Sequence, residues 1–74
     1  MADPRAFMRV HAQIRARIGD GRLAAGARLN IGLIADEYDV SRDTVQRAIR
    51  LLADDGLVER WPGLGWFVAE KEEG

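Results

Sequence analysis

The 74-residue chain has room for one small domain, and such a domain buries only about 60% of the surface its unfolded chain exposes. It has no Cys and one His, which excludes a disulfide, a thiolate-metal staple and a transition-metal site of ordinary composition, and fits a reducing cytoplasm. No apolar run approaches the roughly 20 residues of a membrane span, the N-terminus lacks the basic and apolar regions of a signal peptide, and a net charge of −1 argues at first sight against a nucleic-acid partner.

Asp3-Pro4 reads as the cap and first position of a helix. Phe7, Val10, Ile14 and Ile18, with Ala6 beside them, recur at the spacing of one buried helical face. Gly19 and Gly21 end that helix, because either can take a left-handed cap. Residues 22–27 read as a turn around Gly26, and Arg28-Leu29 as a very short strand. Asn30 caps a second helix over about 31–38, with Ile31, Ile34, Ala35 and Tyr38 inward. Gly32 costs this helix about 1 kcal/mol of propensity relative to Ala. Asp39, a residue type that tolerates left-handed backbone, separates it from a third helix over about 42–54 or 55, capped by Ser41. Val45, Ala48, Ile49 and Leu52 form the buried stripe of the third helix, and Gly56 ends it. After Gly56 the period becomes that of strands, at 57–60 and 66–69, around the turn-rich loop 61–65. The tail 70–74 is charged and expected to fray.

The near-zero net charge conceals an uneven distribution. Residues 1–28 carry net +4, 29–40 net −3, 41–53 net +2 and 54–74 net −4. Ten of the eleven cations are Arg, the residue suited to bidentate pairing with phosphate or guanine. Three helices followed by a hairpin is the order of a winged helix, an α+β but mainly α architecture spanning 1–74 with its core at about 5–69. Ala35 lies four residues before Asp39 and is small enough for two helices to cross closely, with Val45 and Ala48 facing back into the crossing. That is the spacing of a helix-turn-helix, whose second helix enters the major groove with its N-terminal residues at base edges. Here those residues are Ser41, Arg42, Thr44 and Gln46, with Arg47 close by and Arg50 on the same outward side. Arg can bond guanine and Gln adenine bidentately, while Ser41, Thr44 and the helix N-terminal amides can hold phosphate.

The run GRLAAGARL (21–29), followed by VSRDTVQRAIRLLADDGLVERWPGLGWFV (40–68), closely resembles the N-terminal domain of GntR-family bacterial regulators. Their pattern is roughly G-x-L-x-P-G-x-x-L, then V-S-R-x-T-V-x-x-A-L-x-x-L-x-x-x-G-L-V, then G-x-G-x-F-V. The resemblance covers about residues 5–69 and implies that Ser41, Arg42 and Thr44 touch DNA from the third helix. It also implies that Gly63 is the wing-tip glycine near the minor groove. Three departures matter. The family's L-P-S-E-R-x-L-A, with a DNA-touching Arg, is replaced by Leu29-Asn30-Ile31-Gly32-Leu33-Ile34-Ala35, one residue shorter and without Arg. Gln46 stands where many members carry another Arg, and Trp66 replaces a small Thr or Ser. Trp61 and Trp66 place two large aromatics at the wing, either packing it onto the third helix or offering a protein contact.

The remaining candidates carry no chemistry. His11 falls near the apolar face of the first helix and reads as a partly buried or surface residue, not a ligand. Ser41 has no His partner nearby in sequence and reads as a cap, and Gly63-x-Gly65 leads into a turn, not into the helix of a nucleotide loop. The expectation is a non-enzymatic, cofactor-free, cytoplasmic module that meets double-stranded DNA at the nucleoid. A pair would sit on a two-fold operator with half-sites about one helical turn apart or a multiple of it. No membrane and no small-molecule effector are expected for this chain. The alternative is a winged-helix protein-interaction module with only non-specific DNA affinity.

Overall fold

Side chains four residues apart on the first helix seed the core, and two further helices and a small sheet close over it. The structure, a computed structural model, describes residues 4–70, Pro4 through its backbone alone. The expected cap Asp3 and the tail beyond residue 70 lie outside the described residues. The order is α1 (Pro4–Gly19), β1 (Arg28–Leu29), α2 (Ile31–Tyr38), α3 (Arg42–Asp54), β2 (Val58–Trp61) and β3 (Gly65–Val68). The strands form one antiparallel sheet of order β1-β3-β2, so the wing's second strand is central and β1 pairs along its outer edge. This is the winged helix that the element order predicts.

Val10 and Ile14 of α1 meet Val45, Ala48, Ile49 and Leu52 of α3, all at most 1% exposed, and Leu29, Val58 and Val68 close the core from the sheet. Phe7, Ile31, Ile34, Tyr38 and Leu57 pack around that cluster half-buried. The residues predicted for the inner faces of α1 and α3 therefore lie inward. On α2 only Ala35 is fully buried, at 5% exposure, where α2 and α3 approach.

The caps act through the predicted atoms. Asn30 Oδ1 accepts the Leu33 N–H at 3.1 Å, and Ser41 Oγ accepts the Thr44 N–H at 3.1 Å, each satisfying an amide that has no partner within its helix. Asp39 holds φ 54° and ψ 50°, the left-handed region, and the Val40 N–H reaches back to the Ala35 carbonyl at 3.0 Å. Gly56, at φ 79°, closes α3 the same way: its own N–H meets the Ala53 carbonyl at 2.9 Å and that of Leu57 the Leu52 carbonyl at 3.0 Å.

The strands differ from expectation by one residue at each end of the hairpin. The Leu57 N–H is spent on closing α3, so the β2 ladder begins at Val58. Trp61 pairs with Gly65 instead of joining the loop. Residues 61–64 form a turn closed by the Leu64 N–H on the Trp61 carbonyl at 2.9 Å. Pro62 at its second position and Gly63, at φ 79°, in its third suit a type II turn, which needs positive φ at the third position and favours Pro at the second.

Because Asp39 is the single non-glycine residue with positive φ among the described residues, its substitution tests the turn. Asp39→Gly removes the Cβ penalty and is expected to leave stability unchanged or slightly raised. Asp39→Val, β-branched in the same backbone, is expected to lose about 1–2 kcal/mol. Urea denaturation of the two variants measures the difference, and equal midpoints would refute the account.

Candidate nucleic-acid interface

α3 is presented by the three-residue connection Asp39-Val40-Ser41 and by the close approach at Ala35. Its inner stripe is consumed by the core, which leaves Arg42, Asp43, Gln46, Arg47 and Arg50 exposed on the outward side. Ser41 is exposed at the cap. Thr44 is placed differently from the expectation of an open contact residue: it is 4% exposed, and its hydroxyl lies 2.9 Å from Ser41 Oγ. The reason is angular, since position 44 shares the stripe with Ala48 and Leu52. Thr44 therefore orders Ser41 and the start of α3 from beneath.

The outward arginines are differently held. The Arg42 Nη2 would lie 3.3 Å from a Cβ on Gly32, so the missing side chain there leaves room for this guanidinium against the first turn of α2. The Arg47 guanidinium stacks over the Phe7 ring of α1 at 5.7 Å, a cation–π contact that leaves its N–H edges free. Gly63 is at the exposed wing tip.

Ion pairing divides the molecule. Arg17 bonds Glu37 through two contacts, at 2.6 and 3.3 Å, and Arg22 lies 3.5 Å from Asp20. His11 Nε2 is 3.7 Å from Asp55 Oδ2, beyond hydrogen-bond distance. Among the described residues, Arg28, Arg42, Arg50 and Arg60, by contrast, make no hydrogen bond or ion pair, and Arg47 makes only its ring contact. Among the described residues, the arginines seen paired with carboxylates are Arg17 of α1 and Arg22 of the turn after it, and those of α3 and the sheet have no carboxylate partner.

The two tryptophans part company. Trp66 pairs with Leu29 and Arg60 on the inner face of the sheet and packs half-buried against the core. Trp61 is on the opposite face, 51% exposed, with Nε1 donating to Glu59 Oε1 at 3.3 Å. Of the two alternatives left open for these residues, packing describes Trp66, whereas the register of Trp61 opposite Gly65 turns it away from the core.

Comparison with known proteins gives this geometry its place. The family model for bacterial regulatory proteins of the gntR family matches residues 8–68. The chain belongs to the GntR family. This GntR domain is a winged helix of the DNA-binding, transcription-regulating kind. It is 43% identical over 56 residues to the HTH-type transcriptional regulator BphR of Paraburkholderia xenovorans, an alignment covering 76% of this chain and 23% of BphR. The chain thus spans about a quarter of the length of that relative. A GntR regulator from Rhodococcus sp. RHA1 superposes with a TM-score of 0.86 at 38% identity, over 89% of this chain and 32% of that one. The DNA-binding domain of AraR, solved in complex with its operator ORR3, superposes at 0.80 with 28% identity, over 86% of this chain and 78% of that one. No helix among the described residues is long and apolar enough to cross a membrane.

Arg28, which the sequence does not single out, stands in β1, and only its pairing with Phe67 of β3 brings it beside the wing; no local spacing signals an approach across 39 positions.

The Arg17–Glu37 pair yields a pH prediction away from the α3 surface. The hydrogen bond from Arg17 holds the Glu37 carboxyl below its ordinary pKa. A depressed carboxylate contributes stability above its unfolded pKa, and that contribution disappears as pH falls through the ordinary carboxylate range to the lowered folded value. Glu37→Gln is expected to flatten the acid limb of Tm against pH between about 5 and 3, with Tm near neutrality lowered slightly and DNA binding unchanged. A mutant acid limb parallel to that of the wild type would contradict the pairing.

Proposed function

We propose that this domain reads the sequence of duplex DNA by laying α3 in the major groove. The observation that carries the reading is the outward side of α3, where Arg42, Gln46, Arg47 and Arg50 are exposed and none has a carboxylate partner among the described residues. Arg42, on the first turn, is suited to a bidentate bond with guanine, and Gln46 to the same with adenine. Ser41, steadied by Thr44, and the amides at the start of α3 are suited to a phosphate. Arg47 and Arg50 follow one and two turns on and meet the backbone or base edges. The wing, with Gly63 at its tip, lies along the backbone or minor groove.

The AraR domain in complex with operator DNA supports this arrangement by likeness of fold. In our reading two copies occupy a two-fold site in the cytoplasm, and the domain senses no small-molecule effector itself. A second reading has one observation in its favour. Trp61 and Leu64, 51% and 61% exposed, border a depression with Phe67, Glu59 and Glu70. An apolar surface flanked by acids suits protein better than phosphate, and on that reading DNA affinity stays in the non-specific range of about 10⁻⁴–10⁻⁶ M.

Selection from random duplex DNA, followed by titration of the enriched and a scrambled site, separates the two. The wild type is expected to prefer the enriched site by several kcal/mol, and Arg42→Ala to lose about 1–3 kcal/mol of that preference. The spacing of repeats in the enriched site reports pairing. No enrichment, together with Arg42→Ala behaving as the wild type, would discard DNA reading by α3 and direct attention to Trp61.

A further inference from the structure

The family's Arg at the start of the second helix has no counterpart here, yet the groove beside that helix is not without a second cation. Arg28, Asn30, Gly32, Arg42, Gly65 and Trp66 are among the residues lining one groove of about 250 Å³ between β1, the first turn of α2, the start of α3 and the wing root. Arg42 stands on one wall. Arg28 comes from the other, reaching across the strand pair until its Nε and Nη2 lie 3.7 and 3.9 Å from the position a Cβ would take on Gly65. Gly65 has φ 113°, a backbone that side-chain-bearing residues rarely adopt, and its bare Cα leaves the wing root open to the guanidinium.

Charge neutralisation within the chain does not explain this placement. Glu37 borders a neighbouring depression together with Arg28, but both its carboxylate oxygens are held by Arg17. Arg28 makes no hydrogen bond or ion pair with any described residue. Two like charges bordering one groove repel each other, and an anion between or beside them relieves that repulsion. The groove adjoins the N-terminal end of α3, so a duplex read by that helix would run one of its phosphate backbones past the wing root.

We infer that Arg28 is a DNA-binding residue that holds a backbone phosphate at the wing root, beside the base contact of Arg42. The inference rests on the DNA-reading function proposed above. It divides the labour: Arg42, projecting from a helix terminus, reaches a base edge, whereas Arg28, on a strand at the rim of the interface, meets the chain of phosphates that every sequence shares. Arg28 therefore supplies affinity and register, not sequence preference.

The test compares wild type, Arg28→Gln, Arg28→Lys, Arg42→Ala and the control Arg22→Gln on the enriched and scrambled duplexes, between about 50 and 200 mM salt. Thermal melts establish that each variant is folded. Arg28→Gln is expected to weaken both duplexes by a similar factor and to lower the slope of log K on log salt by about 1. Its deficit relative to wild type should then shrink about three- to fourfold over that salt range. Arg28→Lys, which keeps the charge, should restore the slope, and Arg22→Gln, whose guanidinium is already beside Asp20, should behave as wild type. Replacing single phosphates of the enriched site by uncharged methylphosphonate should find one position whose neutralisation costs the wild type affinity and leaves Arg28→Gln unaffected. Unchanged affinity and slope in Arg28→Gln would overturn the inference, and so would a change of enriched sequence, which would make Arg28 a base reader. If Arg42→Ala loses sequence preference while Arg28→Gln matches wild type, the assignment of Arg28 alone falls. If the wild type enriches no sequence at all, the DNA reading falls and takes this inference with it.

Discussion

Between α2 and α3 the backbone must change direction within three residues while the helices on either side approach closely enough to share one core. Left-handed backbone at Asp39 makes the turn, and the small side chain of Ala35 permits the approach. The bond from the Val40 N–H to the Ala35 carbonyl couples the two, because the residue at the crossing also anchors the turn. From this joint follows the direction in which α3 points. Once Val45, Ala48, Ile49 and Leu52 are fixed inward, the outward positions of α3 have no remaining freedom.

The same joint explains the contrast between neighbouring residues on α3. Thr44 and Asp43 are adjacent in sequence, yet one is buried beneath Ser41 and the other faces solvent. Asp43 is an acid on a surface proposed to meet polyanion. Its position in the first turn favours it there, since the helix N-terminus carries partial positive charge. A carboxylate at that site can also accept a hydrogen bond from cytosine N4. The overall charge of −1 is then no obstacle to nucleic-acid binding: carboxylates neutralise Arg17 and Arg22, and the arginines of α3, β1 and β2 retain their charge.

The weakest helix carries a glycine for which the structure supplies a reason. Gly32 lowers the helix propensity of an eight-residue segment, and Asn30 offsets part of that cost by capping. The space vacated by its side chain is where the Arg42 guanidinium lies. α2 is further held on α1 by the Arg17–Glu37 pair, by Arg17 stacked 5.3 Å from the centre of the Tyr38 ring, and by Arg9 donating to the Tyr38 carbonyl at 3.3 Å. Interactions with a neighbouring helix thus sustain a segment that its own sequence supports poorly.

The sequence by itself determined the helices, their caps, the left-handed turn and the winged-helix order, because each depends on interactions within a few residues. Apolar spacing marked Val10, Ile14, Val45, Ile49 and Leu52 as core; Asn30 and Ser41 announced their caps; Gly56 announced the end of α3. The outward residues Arg42, Gln46, Arg47 and Arg50 were legible for the same reason, since a helix with its inner stripe identified leaves little choice for the rest. The one-residue shift of the hairpin was not legible, because whether the Leu57 N–H serves α3 or the β2 ladder depends on how the helix end meets the sheet. The burial of Thr44, the separation of Trp61 from Trp66 and the arrival of Arg28 at the wing root also required the tertiary structure. Trp66 turns inward and Trp61 outward through the register of β3 against β1 and β2. Arg28 reaches Gly65 through strand pairing between distant segments. A local pattern fixes which face of an element a residue occupies, but what that face meets is decided only when distant elements pack against one another.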